Sequence, residues 1–187
     1  MYKFFKRLLD ITVSLVTLII LLPVFIPIII ILKFSAEGEV FYFQERYGIY
    51  NSKFQIWKFA TMLKNSMNIG TGSITLQNDP RVTKIGSFLR RTKINELPQI
   101  INILKGDISL VGPRPDLLQL SDYTLLQTRR FEVMPGMTGL WQVSGKNRLS
   151  FDQMIDLNLQ YIAQCSLRTD LMILLKTVIV LINQHNE

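Results

Sequence analysis

The stretch ITVSLVTLIILLPVFIPIIIIL, residues 11–32, decides the fold of this chain. It holds no charge, and seventeen of its 22 residues are apolar; the others are Thr12, Ser14, Thr17, Pro23 and Pro27. A helix of this length extends roughly 33 Å at ~1.5 Å per residue, enough for a bilayer core. Lys3, Lys6 and Arg7 precede it, as in a signal peptide, but the run exceeds an h-region and no clear A-x-A site follows. The segment is therefore expected to reside in a membrane. Pro23, near the middle, predicts a break, because proline lacks an N–H and clashes with the preceding turn. Lys33 follows the segment, so both flanks are basic. A helix broken at Pro23 that dips in and returns leaves both flanks cytoplasmic; a kinked single span is the alternative, and the residues alone do not separate the two.

Working outward, the 187-residue chain carries 21 Lys and Arg against 14 Asp and Glu, a net +7, and is 48% hydrophobic. That apolar content excludes a disordered chain. The single Cys165 excludes an internal disulfide framework and a Cys-based zinc site. The single His185, near the C-terminus, leaves no internal histidine for a Ser-His-Asp triad. Residues 35–187 are expected to form one domain, after a membrane segment at 1–34. Residues 40–44 and 54–59 read as a β-hairpin. Residues 67–79 read as a loop and 80–91 as a turn and short helix. Leu97, Ile100, Ile101 and Leu104 keep helical spacing, with Asn95 as expected N-cap and Gly106 as stop. Residues 112–115 and 135–136 read as loop punctuation, and 151–164 as a helix. Residues 167–182 form a second apolar helix, either amphipathic on the membrane or buried in the core. The fold class is thus α+β, mostly helical, with one small hairpin.

Residues 80–105 carry Arg81, Lys84, Arg90, Arg91, Lys93 and Lys105 against one acid, Glu96. Such a run is often only a solvated face, but this one leads into the expected helix start at Asn95, where free N–H groups favour an anion. The reading is a phosphate site beside a membrane, with Glu96 as a Mg²⁺ ligand or an acid/base. Arg114, between Pro113 and Pro115, suits a clamp on a diphosphate. Residues 135–148, with Gln142, Lys146 and Arg148, form a Gly-rich stretch that alone is a weak phosphate signal. No P-loop and no dinucleotide fingerprint is present.

The segments KRLLD (6–10), VFYFQERYG (40–48), KFATM (58–62), NDPRVTKIGSFLRRT (78–92), NELPQIINILKGDISLVGPRP (95–115) and PGMTGLWQVSGKN (135–147) together resemble the bacterial sugar transferase family. These are monotopic phosphoglycosyl transferases, and the chain is similar to their small form. The resemblance implies transfer of a sugar-1-phosphate from a UDP-sugar to a polyprenyl phosphate such as undecaprenyl phosphate, with UMP released and Mg²⁺ required. It implies the first membrane step of a surface glycan such as exopolysaccharide or lipopolysaccharide, at the bacterial inner membrane with the catalytic part facing the cytoplasm. It also implies a re-entrant segment broken at Pro23. Family basic positions fall on Lys58, Arg91, Arg114 and Lys146. Expected partners are the lipid, the UDP-sugar and downstream glycosyltransferases, and the exposed apolar segment hints at a homodimer.

Two positions depart from the family pattern. Its Asp-Glu dyad, with Asp as the nucleophile, reads Asn95-Glu96; an amide has no anionic oxygen with which to attack phosphorus. Its usual K-F-R reads Lys58-Phe59-Ala60. We favour a natural variant in which Glu96 or the lipid phosphate itself replaces the Asp route. An engineered trapped form or an impaired relative acting as a scaffold are the alternatives. The net charge alone would suit a nucleic-acid binder, but no binding motif supports one.

Overall fold

The computed structural model describes residues 1–35, 38–66, 76, 79–115, 117, 121, 123–145 and 148–183. Most of the expected 67–79 loop lies outside these residues.

Helix α1 (Tyr2–Phe34) is helical over all 33 residues, with Pro23 and Pro27 inside it. The expected interruption at Pro23 is therefore corrected to a proline-containing helix. Each proline deletes one i→i−4 bond, and the four-residue spacing places both on one exposed face, so the helical turn continues around them. Along the other side Asp10, Ser14, Phe25 and Leu32 are buried, and Leu18, Leu21, Ile28 and Ile29 are partly buried between them. These steps of three and four residues make one stripe. The opposite side exposes Leu15, Ile19, Ile20, Leu22, Ile26 and Ile30.

The chain forms two compact units, Met1–Ser14 with Glu45–Gln55 and Asn102–Glu187, and Leu15–Gln44 with Ile56–Ile101. Strands β1 (Phe41–Tyr47) and β2 (Lys53–Phe59) pair as the expected hairpin and run through both. Tyr50 and Asn51 at φ 52° and 59° turn the chain between them.

The second unit is built on Phe25, Leu32, Phe59 and Leu89. Phe25 packs edge-on to Phe59 at 5.4 Å and Phe41 stacks on Phe59 at 5.5 Å, arrangements that add to area burial. Helix α2 (Lys84–Arg91) supplies Leu89. Thr83 caps it, its Oγ1 accepting the Gly86 N–H at 2.9 Å. Ahead of α2 the Arg81 fork donates to Asp79 through Nε at 2.9 Å and Nη2 at 2.7 Å, and Nη1 donates to the Ser66 carbonyl at 2.8 Å. Both side chains are buried. The Arg81 hydrogen bonds hold the Asp79 carboxyl well below the usual carboxylate range.

The longest segment of the first unit begins at Asn102, within helix α3 (Gln99–Lys105). Gly106 at φ 90° closes that helix, as expected, its N–H donating to the Asn102 carbonyl at 3.0 Å. Arg7 then donates to the last α3 carbonyls, Ile103 at 2.6 Å and Leu104 at 2.8 Å. Strand β3 (Ser109–Val111) pairs in parallel with β4 (Gly136–Thr138), Ser109 opposite Gly136 and Val111 opposite Thr138. Residues 135–136, expected as loop, thus lead into a strand; three-residue strands are too short to show an alternation. A Cβ at Gly136 would sit 2.0 Å from the Gly112 nitrogen, so the close pairing requires glycine.

Helix α4 (Phe151–Ala163) opens on a Ser150–Gln153 capping box and buries Ile155, Asn158 and Tyr161. Helix α5 (Leu167–Asn183) buries Asp170 and Ile173. Leu171, Met172, Leu175, Val178, Ile179 and Ile182 are exposed, so it packs on the core by one narrow face and leaves a second apolar face open. Lys6 joins the two ends of this unit. Its Nζ lies 2.8 Å from Asp170 Oδ2, and Asp170 also accepts from Tyr2 at 2.9 Å and Tyr161 at 2.8 Å.

Two outcomes follow from these buried charges. Lys6→Met strands the Asp170 carboxylate, and we expect a loss of about 3–5 kcal/mol, read as a lowered thermal midpoint in detergent. An unchanged midpoint would remove the pair from the framework. For Asp79 the folded pKa is depressed, so its stabilisation is complete above the ordinary aspartate value of ~3.9 and is lost as pH falls below it. Acidification below about pH 4 should lower the midpoint more steeply in the parent than in Asp79→Asn.

Candidate active site

Thr61 organises the basic segment of the second unit. Its carbonyl accepts the Thr83 N–H at 3.0 Å, a β-bridge joins Met62 to Val82, and its Oγ1 accepts from Arg90 Nε at 2.8 Å. The first turn of α2 therefore starts against the end of β2, and Arg90, one helix later, is turned back to the same threonine. Arg90 is half-buried. Burial lowers its pKa and Arg81 adds to this, while Asp79 and Glu96 favour its charged form; a guanidinium stays protonated throughout.

A cleft of about 540 Å³ opens here, lined by Leu76, Asp79, Val82, Thr83, Lys84, Ser87, Arg90 and Arg91. It brings together three cations, two hydroxyls and the N-terminal turn of α2. Such a set can hold a phosphate through charge-assisted hydrogen bonds. Of the residues expected from sequence, Arg90 and Arg91 line it; Lys58, Asn95 and Glu96 do not.

Asn95 differs from expectation. Lys93 adopts the left-handed φ of 61° and starts a 3-10 turn over Ile94–Glu96, closed by Leu97 N–H to Ile94 carbonyl at 3.1 Å. Helix α3 begins only at Gln99, after Pro98. Asn95 is thus mid-turn and caps no helix, because the reversal at Lys93 is completed before α3 can start. Asn95 and Glu96 are half-buried, and Glu96 acts electrostatically on Arg90. Lys58 lies half-buried on β2 between Trp57 and the core residue Phe59, and Ala60 is buried beside Thr61. Gln99 is fully buried, and its Nε2 has no hydrogen-bond partner among the described residues.

The first unit holds the remaining expected residues. Arg114 is half-buried between Pro113 and the buried Pro115. Gln142 lies on a 3-10 turn over Trp141–Val143 and donates from Nε2 to the Met137 carbonyl at 3.2 Å. Its buried Oε1 has no partner among the described residues. Arg148 is exposed, and Lys146 lies outside the described residues. Sequence reading missed Thr61, Thr83, Ser87 and Gln99. Thr61 stands in the KFATM segment, where a search for cations passes over a hydroxyl.

The family model described as bacterial sugar transferase matches residues 1–184. The exopolysaccharide production protein ExoY of Rhizobium meliloti is 37% identical over 92% of this chain and 83% of that protein. The UDP-glucose:undecaprenyl-phosphate glucose-1-phosphate transferase of Escherichia coli is 37% identical over 94% of this chain and 40% of that protein. The undecaprenyl-phosphate galactose phosphotransferase of Salmonella typhimurium is 36% identical over 97% of this chain and 41% of that protein. The chain thus spans most of the first relative but under half of the other two. With a family match over nearly its whole length, the chain belongs to the bacterial sugar transferase family.

Proposed function

We propose that the protein transfers a sugar-1-phosphate from a UDP-sugar to a polyprenyl phosphate at the cytoplasmic face of a bacterial inner membrane, releasing UMP. The observation that carries this reading is the basic cleft on Thr61 and α2, in a chain whose apolar α1 leaves one side exposed. Arg90, Arg91 and Lys84, with Lys58, bind and orient the donor diphosphate, and Arg114 is a further phosphate-binding cation by its charge. Gln142, Lys146 and Arg148 bind the rest of the donor. A phosphate oxygen of the lipid attacks the sugar-bearing phosphorus. The bond from that phosphorus to the bridging oxygen breaks, and the electron pair leaves with UMP. Glu96, which favours the charged Arg90, holds the cationic side of the site in place. Asn95 offers no anion to form a covalent intermediate, so the lipid attacks directly.

Mg²⁺ fits these residues. Among the described residues no group of three His, Cys, Asp or Glu stands ready for a metal. Glu96, half-buried and acting electrostatically on Arg90 of the cleft, is a carboxylate that a Mg²⁺ ion could share with phosphate and water. Glu96 would hold it, and the ion would neutralise phosphate charge.

The two ends of α1 touch folded parts of the chain. Lys6 and Arg7 bind folded residues of the first unit, and Phe25 and Leu32 sit in the core of the second. We propose that α1 embeds its exposed apolar side in one leaflet with both ends cytoplasmic, a reading supported by the basic residues that flank it, Lys3, Lys6 and Arg7 before and Lys33 after. Cysteines placed at Lys3 and Phe34 in a Cys165→Ser background should both react with an impermeant reagent from the cytoplasmic side only. Labelling of one from each side would establish a span instead.

The decisive measurement is UMP release from a panel of UDP-sugars by the membrane-embedded protein. We expect release only with polyprenyl phosphate and divalent metal, and release without lipid would sink the reading. Glu96→Gln should lower kcat/KM by ~100-fold or more. Asn95→Asp should allow a covalent phosphosugar to accumulate, while the parent turns over without one. A parent inactive with every donor, and a Glu96→Ala variant that still complements a deletion strain, would establish a scaffold.

A further inference from the structure

Residues 111–115 lead from β3 into the loop that presents Arg114. Pro113 and Pro115 have no N–H, so the loop has few donors of its own; Gly112 N–H donates to the Thr138 carbonyl at 2.9 Å. Its carbonyls are held from outside. Val111 accepts from Lys6 Nζ at 2.8 Å and from the Tyr161 hydroxyl at 3.3 Å. Pro113 accepts from the Gly136 N–H at 2.9 Å, and Pro115 from Arg46 Nη1 at 3.5 Å. The Arg114 carbonyl itself accepts from Arg130 Nη2 at 2.5 Å.

Arg130 is only 7% exposed. Its Nη1 donates to the Tyr123 hydroxyl at 2.8 Å, and its guanidinium carbon lies 5.2 Å from the Tyr123 ring centre and 5.8 Å from that of Phe131. Burying a guanidinium is costly unless its donors are used, and here the fork and both aromatic faces hold it in one orientation. One arm of that fixed fork ends on the backbone of the arginine between the prolines.

We propose that Arg130 is a positioning residue for Arg114. Clamping the Arg114 carbonyl fixes the backbone angles at that residue, and with them the direction in which its guanidinium leaves the loop to meet a substrate phosphate. The inference rests on the phosphoglycosyl-transfer reading and adds to it a residue that touches no substrate.

The test uses the full chain in membranes, with a donor that the parent turns over, and compares Arg130→Gln, Arg130→Lys, Tyr123→Phe, Arg114→Ala and the Arg114→Ala/Arg130→Gln double variant. Arg130→Gln should lower kcat/KM by ~10-fold or more, and Arg130→Lys should recover part of the loss. The double variant should be no slower than Arg114→Ala, because without the guanidinium nothing is left to aim. Amide exchange at Gly112 and Gly136 should quicken by ~10-fold in Arg130→Gln, with the α2 amides unchanged. If Arg130→Gln fails to fold, Tyr123→Phe, which loosens the fork at nearly constant volume, should show the same pattern at smaller amplitude. Losses that multiply in the double variant, or exchange and kinetics equal to the parent, overturn the positioning role. A parent that releases no UMP from any donor overturns the functional reading instead, and the exchange comparison then decides by itself whether Arg130 orders the loop.

Discussion

The first unit depends on one buried ion pair. Lys6 and Asp170 meet at 2.8 Å with side chains 12% and 3% exposed, where each alone would be costly. The pair is tolerable because its remaining hydrogen-bonding capacity is used. The carboxylate accepts from two tyrosine hydroxyls, and the ammonium also donates to the Val111 carbonyl. Burial and the Asp170 charge push the Tyr161 hydroxyl far above its ordinary pKa, so it stays a donor. The start of the apolar helix, the strand that leads to Arg114 and helix α5 therefore share one junction. Their spacing follows from a few polar atoms more than from the apolar packing around them.

The same economy governs much of the positive charge. A net +7 read from composition suggests membrane attraction and phosphate binding. The structure adds a third use. Lys6, Arg7, Arg46, Arg81 and Arg130 all donate to backbone carbonyls at the ends of helices and strands or in loops. An irregular, proline-containing chain leaves such carbonyls in quantity, and a long cation reaches them with its stem still packed. Arg90 and Arg91 differ in lining an open cleft, with charge left for a ligand.

That division explains what the sequence could disclose. The hairpin, α2, α4 and the Gly106 stop rest on local signals, namely alternation, an N-cap threonine, a capping box and a positive φ, and each is legible in a few residues. The β3–β4 pair is not, because it joins three-residue strands more than twenty positions apart. Asn95 looked like a cap since it precedes a periodic run, yet the left-handed Lys93 reverses the chain first. Pro23 looked like a break because proline propensity is measured in isolated helices, whereas α1 is held by a packed stripe along its length. In the site, a run of cations was visible, but the Thr61–Arg90 and Arg130–Arg114 pairings were not. They join side chains and carbonyls that only the fold brings together.

The placement of Asn95 bears on the departures from the family pattern. A residue that caps a helix is selected for its cap, and asparagine serves there as well as aspartate. Asn95 sits mid-turn with no helix to cap, so the fold gives no reason for an amide over a carboxylate. Ala60, the second departure, is buried immediately before Thr61, whose hydroxyl holds Arg90. A guanidinium there would add a cation next to Thr61, whose hydroxyl accepts from Arg90. Against the family pattern, Asn95 removes one negative charge and Ala60 one positive charge, so together the two departures leave the formal charge unchanged. An aspartate at 95 alone would add one negative charge beside Glu96, in a segment otherwise rich in cations.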